Sequence, residues 1–199
     1  MIHPDTRVQY IDDEIGYGLF AIRPIPRGTI TWVLDAFDKI YMPQQVESMG
    51  SIHQSILEKY SYRNRKGESV LCWDFGRYVN HSFRSNCMST GYDFEIAIRD
   101  IEAGEELTND YGYLNLDQPF KARYEGTDRE WVYPDDLPRY YKQWDEQVRL
   151  SFSLIRDVDQ PLMSLLSEDL KMEIQDVIAG KRELQSILTH YFHPAEVLN

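Results

Sequence analysis

Two cysteines in 199 residues, Cys72 and Cys87, are too few for a disulfide framework or for an unaided cysteine-rich zinc site, and they suit a reducing compartment. Basic residues are also scarce: 21 Lys and Arg stand against 33 Asp and Glu, a formal net charge of −12. The deficit is shared evenly between residues 1–116 and 117–199. No basic stripe emerges, which argues against direct binding of duplex nucleic acid. An acidic surface aids solubility and also attracts basic polypeptides over distance; charge alone does not separate these roles. No apolar run approaches membrane-spanning length. The opening Met1-Ile2-His3-Pro4-Asp5 lacks the charged-then-apolar pattern of a signal peptide. The chain therefore reads as soluble and intracellular, with no membrane partner and with cytoplasm and nucleus left open. Its five histidines, at positions 3, 53, 81, 190 and 193, form no group of metal-ligand spacing, so no metal is expected.

What is present changes character along the chain. The first 35 residues alternate short β-branched and aromatic runs with glycine and proline: Val8 to Ile11, Gly18 to Ile22, then Thr29 to Leu34. That pattern predicts short strands. Between 43 and 60, Val46, Met49, Ile52, Ile56 and Tyr60 recur at three- and four-residue steps and predict a helical insert. Strand character returns at Val70 to Trp73 and at Phe94 to Arg99, the latter with alternating faces. A tight turn at Ile101 to Glu106 then precedes a further strand. Beyond a soft boundary at 116–135, Tyr140, Trp144, Val148, Phe152 and Ile155 fall on one helical stripe. Ser167 is placed to cap a second helix and Gly180 to end it. At this length and with 42% hydrophobic residues, one sizeable core is expected.

Three short segments carry chemical information together. Gly16-Tyr17-Gly18-Leu19-Phe20-Ala21 alone is a turn signal, and it lacks the third glycine and following helix of a dinucleotide loop. Arg77-Tyr78-Val79-Asn80-His81-Ser82 alone is a polar loop. Gly104-Glu105-Glu106-Leu107-Thr108-Asn109-Asp110-Tyr111-Gly112 alone is a turn feeding a strand. In this order the three resemble the signature motifs of SET-domain protein lysine methyltransferases, over roughly residues 5–116. Asn86-Cys87 extends the likeness. Phe83 and Ser85 depart from it, standing where the family has cysteine and proline.

The resemblance implies a β-rich α+β fold of small sheets with a pseudoknot. The SET domain would span 1–116, with the insert at about 43–60, and a helical segment 117–199 would flank or cap the active site, or build a dimer interface. It implies S-adenosyl-L-methionine as cofactor, held by Gly16, Tyr17, Gly18, Leu19, Tyr78, Asn80 and His81. Tyr111 matches the catalytic tyrosine. Tyr78, Asn109, Tyr113, Trp131 and Tyr133 are the substrate-channel candidates, the last two because no cysteine-rich cluster follows to close the channel. Many members carry Phe or Tyr where Asn109 stands, a position that influences how many methyl groups are added, so product state is not legible here. The implied reaction is methyl transfer to the side-chain amine of lysine in a basic protein or peptide, histone or otherwise. A catalytically silent SET module that binds peptides or scaffolds a complex is the alternative. Oligomeric state is not expressed in the sequence.

The residue types suit such a transfer. In-line attack by an amine needs alignment and exclusion of water more than covalent help from the protein. A free lysine has a pKa of about 10.4, so it must lose a proton first, and desolvation beside a sulfonium favours that loss. Tyrosine rings accept a cation on their faces, and their hydroxyls orient an amine.

Overall fold

The computed structural model describes residues 1–193. Its strands are short and fall into small sheets. The first contains β1 (Thr6–Asp12), β2 (Gly16–Ala21), β7 (Asn80–His81) and β10 (Glu106–Asn109), in the order β1-β2-β10-β7. The second is β3 (Ile30–Val33), β8 (Cys87–Ser89) and β9 (Phe94–Ala97), with β9 central. The third joins β4 (Lys39–Tyr41), β5 (Ser61–Arg63) and β6 (Ser69–Leu71) around β6. A two-stranded ribbon, β11 (Phe120–Lys121) with β12 (Trp131–Val132), completes the strands.

One arrangement in the first sheet positions everything that follows. β10 pairs antiparallel with β2 through Glu106↔Phe20 and Leu107↔Leu19. On its other edge it pairs parallel with β7 through Thr108↔Asn80 and Asn109↔His81. Three segments far apart in sequence thus become neighbouring strands, and the Ser82 N–H continues the ladder by donating to the Asn109 carbonyl at 2.9 Å. Sequential strands usually neighbour one another, so nothing local in the chain dictates this insertion.

The 43–60 segment forms α1 (Pro43–Glu47) and α2 (Ser51–Tyr60). Their apolar stripe does not face a core: Ile52 is 74% exposed, Ile56 is 44% exposed, and Leu57 is the buried position of α2. The 117–135 stretch holds the β11–β12 ribbon, and helix begins at α3 (Asp136–Phe152). α3 buries Leu137, Trp144, Val148 and Phe152 against Phe94, Ile96 and Met88 of the second sheet. α4 (Glu168–Ile178) adds Ile174 to the same core. The Ser167 hydroxyl accepts from the Leu170 N–H at 3.2 Å as its N-cap, and Gly180, at φ 69°, takes the left-handed turn that ends the helix. Residues 117–193 therefore share a core with the second sheet. A second cluster, with Leu19, Ile25, Val79, Cys87, Ile101 and Leu107, lies beneath the first sheet. Cys72 and Cys87 are both buried and unbridged.

Candidate functional site

Two regions meet at Tyr111. The first is the edge where β2, β10 and β7 lie side by side. Here the Asn80 amide donates to the Tyr17 carbonyl at 3.0 Å and to Glu106 Oε1 at 2.8 Å, tying the second motif to the other two. Gly18 leaves the room for this knot. A Cβ there would lie 2.6 Å from Ile11 Cδ1 and 3.0 Å from Asn80 Nδ2, and would collide with Glu106 Oε1. Its lack of a side chain thus serves contact between strands as well as any ligand approach. Leu19 is fully buried in the second core cluster, so it can offer only backbone to a ligand. Tyr17 is 54% exposed. It packs edge-on against Tyr10 at 5.7 Å and Tyr78 at 6.2 Å between ring centroids. Tyr78 ends a short 3-10 helix at Phe75–Tyr78, which Asp74 caps by accepting from the Gly76 N–H at 2.9 Å.

His81 binds the second motif to the third. Its Nδ1 accepts the Tyr111 N–H at 3.1 Å, and its ring packs against Phe83 at 4.5 Å and against Phe120 and Tyr111 at 5.5 Å. Burial pushes its pKa down to about 4, outweighing the pull of Glu125. Asp110 Oδ1, 4.0 Å from Nδ1, does not reverse this. The ring is therefore neutral at pH 7. Because Nδ1 is an acceptor, the ring proton sits on Nε2, a buried atom with no protein partner.

The second region is a cavity of about 930 Å³ between the third sheet, α2 and the 111–120 segment. Asn109, Tyr111, Tyr113 and Phe120 line it from one side, with Tyr62, Cys72, Val79 and Glu95 among the other walls. Tyr111 belongs to both regions. It opens a 3-10 turn at Tyr111–Tyr113, capped by Asp110 accepting from the Gly112 N–H at 3.0 Å. Its hydroxyl donates to the Val79 carbonyl at 2.7 Å. Burial drives its pKa upward, so the phenol stays protonated. With its proton committed to Val79, the oxygen remains an acceptor.

Asn109 is buried, donates through Nδ2 to Glu95 Oε1 at 2.8 Å, and leaves Oδ1 without a partner. Tyr113 packs edge-on against Trp144 at 5.5 Å, with its buried hydroxyl also unpartnered. Trp131 and Tyr133 lie apart from these. They stack on each other at 6.3 Å, are 43% and 39% exposed, and are absent from the cavity wall. Phe120 packs against Tyr111 instead, at 6.3 Å, in a place that depends on the β11–β12 ribbon. Glu95 was legible in principle. On a strand with alternating faces it sits opposite Phe94 and Ile96, whose side chains are buried in the first core cluster.

The acids outside this cavity do structural work. Arg129 contacts Asp110 through Nη1 and Asp136 Oδ2 through Nη2 at 2.7 Å, with its guanidinium over Phe83 and Tyr140, each at 4.5 Å. This network fastens the 117–136 segment to the residue preceding Tyr111. Among the described residues no cluster of His, Cys, Asp and Glu could hold a metal ion, and no helix is long and apolar enough to cross a membrane.

The SET-domain family model matches residues 16–112, the span that begins at β2 and ends in the turn after β10. A crystal structure of a candidate histone methyltransferase from Plasmodium falciparum is similar at 17% identity and a TM-score of 0.41, covering 55% of this chain and 95% of that one. No curated protein matches the sequence. The small sheets and the insertion of β10 between β2 and β7 are those of a SET fold, and residues 16–112 form a SET domain.

Proposed function

We propose that this protein transfers a methyl group from S-adenosyl-L-methionine to the side-chain amine of a lysine in a basic protein or peptide, histones included. The observation that carries the reading is the double attachment of Tyr111. Its backbone is bound to His81 on the motif edge, and its hydroxyl stands on the cavity wall, held by Val79. A residue so placed can face a cofactor on one side and an incoming side chain on the other.

The residues of the motif edge fit the cofactor. His81 Nε2 is a buried N–H with no acceptor in the protein, which a polar ligand would satisfy. The exposed Tyr17 ring, packed on Tyr78, offers an aromatic surface beside the Gly16–Gly18 backbone. Gly16, Tyr17, Gly18, Tyr78, Asn80 and His81 would hold the group, with Leu19 contributing backbone alone. When bound, it supplies a sulfonium methyl. The chain's part is then to align an amine, exclude water and orient the nitrogen lone pair through the Tyr111 oxygen. Acidic and basic side chains nearly balance around the cavity, so the −12 net charge acts as a long-range field and is not focused at this opening.

The test is labelled-methyl transfer to histones and to whole-cell lysate. Tyr111→Phe is expected to lower turnover at least tenfold, about 1.4 kcal/mol of transition-state stabilisation, with cofactor affinity by calorimetry little changed. Undiminished turnover in Tyr111→Phe would remove the residue from the mechanism. Absence of measurable S-adenosyl-L-methionine affinity in the unaltered protein would leave the silent peptide-binding module instead.

A further inference from the structure

The cavity contains a carboxylate that the three motifs do not account for. Glu95 of β9 lies on its wall together with Asn109, Tyr111 and Tyr113. Its Oε1 accepts from Asn109 Nδ2 at 2.8 Å and from the Ser89 hydroxyl at 3.2 Å, which fixes the carboxylate and leaves Oε2 with no protein donor. Among the described residues no Lys, Arg or His forms an ion pair with it. Two further oxygens on the same wall are buried and unpartnered: Asn109 Oδ1 and the Tyr113 hydroxyl, in residues 5% and 3% exposed.

Such an arrangement is costly to keep without a ligand. The two unpaired oxygens lose hydration that nothing in the protein replaces, and the carboxylate is satisfied by protein donors at Oε1 alone. Burial pushes the Glu95 carboxyl upward, the response of an acid that lacks a counter-charge. The ligand that suits the undonated Oε2 is a cation with several N–H donors on a narrow apolar stem. Lysine has that form: three donors on an ammonium at the end of four methylenes. Phe120, Tyr62 and Val79 supply apolar wall for the stem.

Resting on the methyl-transfer reading for its substrate class, we propose that Glu95 is the specificity-determining residue of the site: its Oε2, positioned by Asn109, receives the ammonium of the incoming lysine. Asn109 then has a definite task. A phenylalanine at that position could not donate to Glu95, and the amide does so at 2.8 Å, so the amide and the acid form one recognition pair.

Binding measures this without turnover. Two blocked tripeptides, acetyl-Ala-Lys-Ala-amide and its norleucine counterpart, differ in the ammonium and hardly in shape, and both are titrated into the full chain by NMR. The unaltered protein is expected to favour the lysine peptide roughly tenfold or more, the value of a charge-assisted hydrogen bond. Glu95→Gln should bring the two within about twofold of each other, and Glu95→Asp should restore part of the preference. Thermal unfolding of each variant confirms that the fold is retained. Equal binding of the two peptides, no saturable binding of the lysine peptide, or a preference that survives in Glu95→Gln overturns the proposal. Lysine preference without methyl transfer would discard the reaction and keep the site; methyl transfer without preference would do the reverse.

Discussion

Replacing Arg129 with leucine is expected to destabilise the protein by about 3–5 kcal/mol, a large fraction of the 5–15 kcal/mol typical of a domain. The reason is the pair of acids it serves. Asp110 and Asp136 are 2% and 1% exposed, and the guanidinium reaches both. Removing it leaves two buried carboxylates with backbone donors but no cation: the Gly112 N–H on Asp110 and the Tyr133 N–H on Asp136. Their attraction to Arg129 does not have to exceed its desolvation cost for the loss to be large. What matters is that one partner stays behind uncompensated. Lysine should rescue poorly, since a single ammonium cannot reproduce the fork to two acids or the stacking on Phe83 and Tyr140. Adding Asp110→Asn and Asp136→Asn to the leucine variant should recover part of the loss. Urea unfolding midpoints check this, and a cost below about 1 kcal/mol would mean the network behaves as an exposed pair. Turnover should fall along with stability, because Asp110 also caps the turn that carries Tyr111.

Acid should destabilise the protein through His81. Its folded pKa is about 4, against an ordinary value of 6.5. Between those values the unfolded chain binds the proton and the folded one does not, so stability rises with pH there and is lost as pH falls from about 6.5. Over the step from pH 7 to pH 5 the contribution is about 2 kcal/mol. Burial is the main cause. Glu125 and Asp136 pull the other way, and Arg129 adds to the depression. His3 and His190 are depressed too, so the informative quantity is a difference between proteins. His81→Asn keeps an acceptor for the Tyr111 N–H and has nothing to titrate. Its stability should drop less than that of the unaltered protein over this step, by about 2 kcal/mol. Parallel losses measured by urea unfolding at the two pH values would place the acid sensitivity elsewhere. Affinity for S-adenosyl-L-methionine should hold over this step and fall only as the pH approaches about 4, where the folded ring becomes charged and loses its Nδ1 acceptor role toward Tyr111.

Some of this was written in the sequence because it depends on neighbours along the chain. Short strands punctuated by glycine and proline, the Ser167 cap and Gly180 stop of α4, and the buried stripe of α3 are local patterns that the structure contains at those positions. The three motif segments were legible as a set because their order, not any geometry, carries the resemblance. The stripe of the 43–60 insert shows the limit of such reading. Periodicity reports that a helix forms, but not whether a partner surface waits for its apolar face, and Ile52 and Ile56 of this one stay exposed.

The site itself belongs to the tertiary structure. That Tyr111 should bind His81 through its backbone and Val79 through its hydroxyl follows from β10 lying between β2 and β7, a pairing across 28 to 88 residues that no local propensity encodes. Phe120 lines the cavity and Trp131 and Tyr133 do not, because the β11–β12 ribbon decides which ring faces inward. Glu95 reads in sequence as one acid on an alternating strand. Only the arrival of Asn109 against it, 14 residues later in the chain, makes it a fixed carboxylate with a free oxygen in an aromatic cavity. By itself, then, the sequence carried the SET-domain resemblance and the local elements, since each rests on residue identity and near-neighbour spacing. Which side chains share a cavity, and with what charge and hydration, was decided by long-range strand pairing and burial.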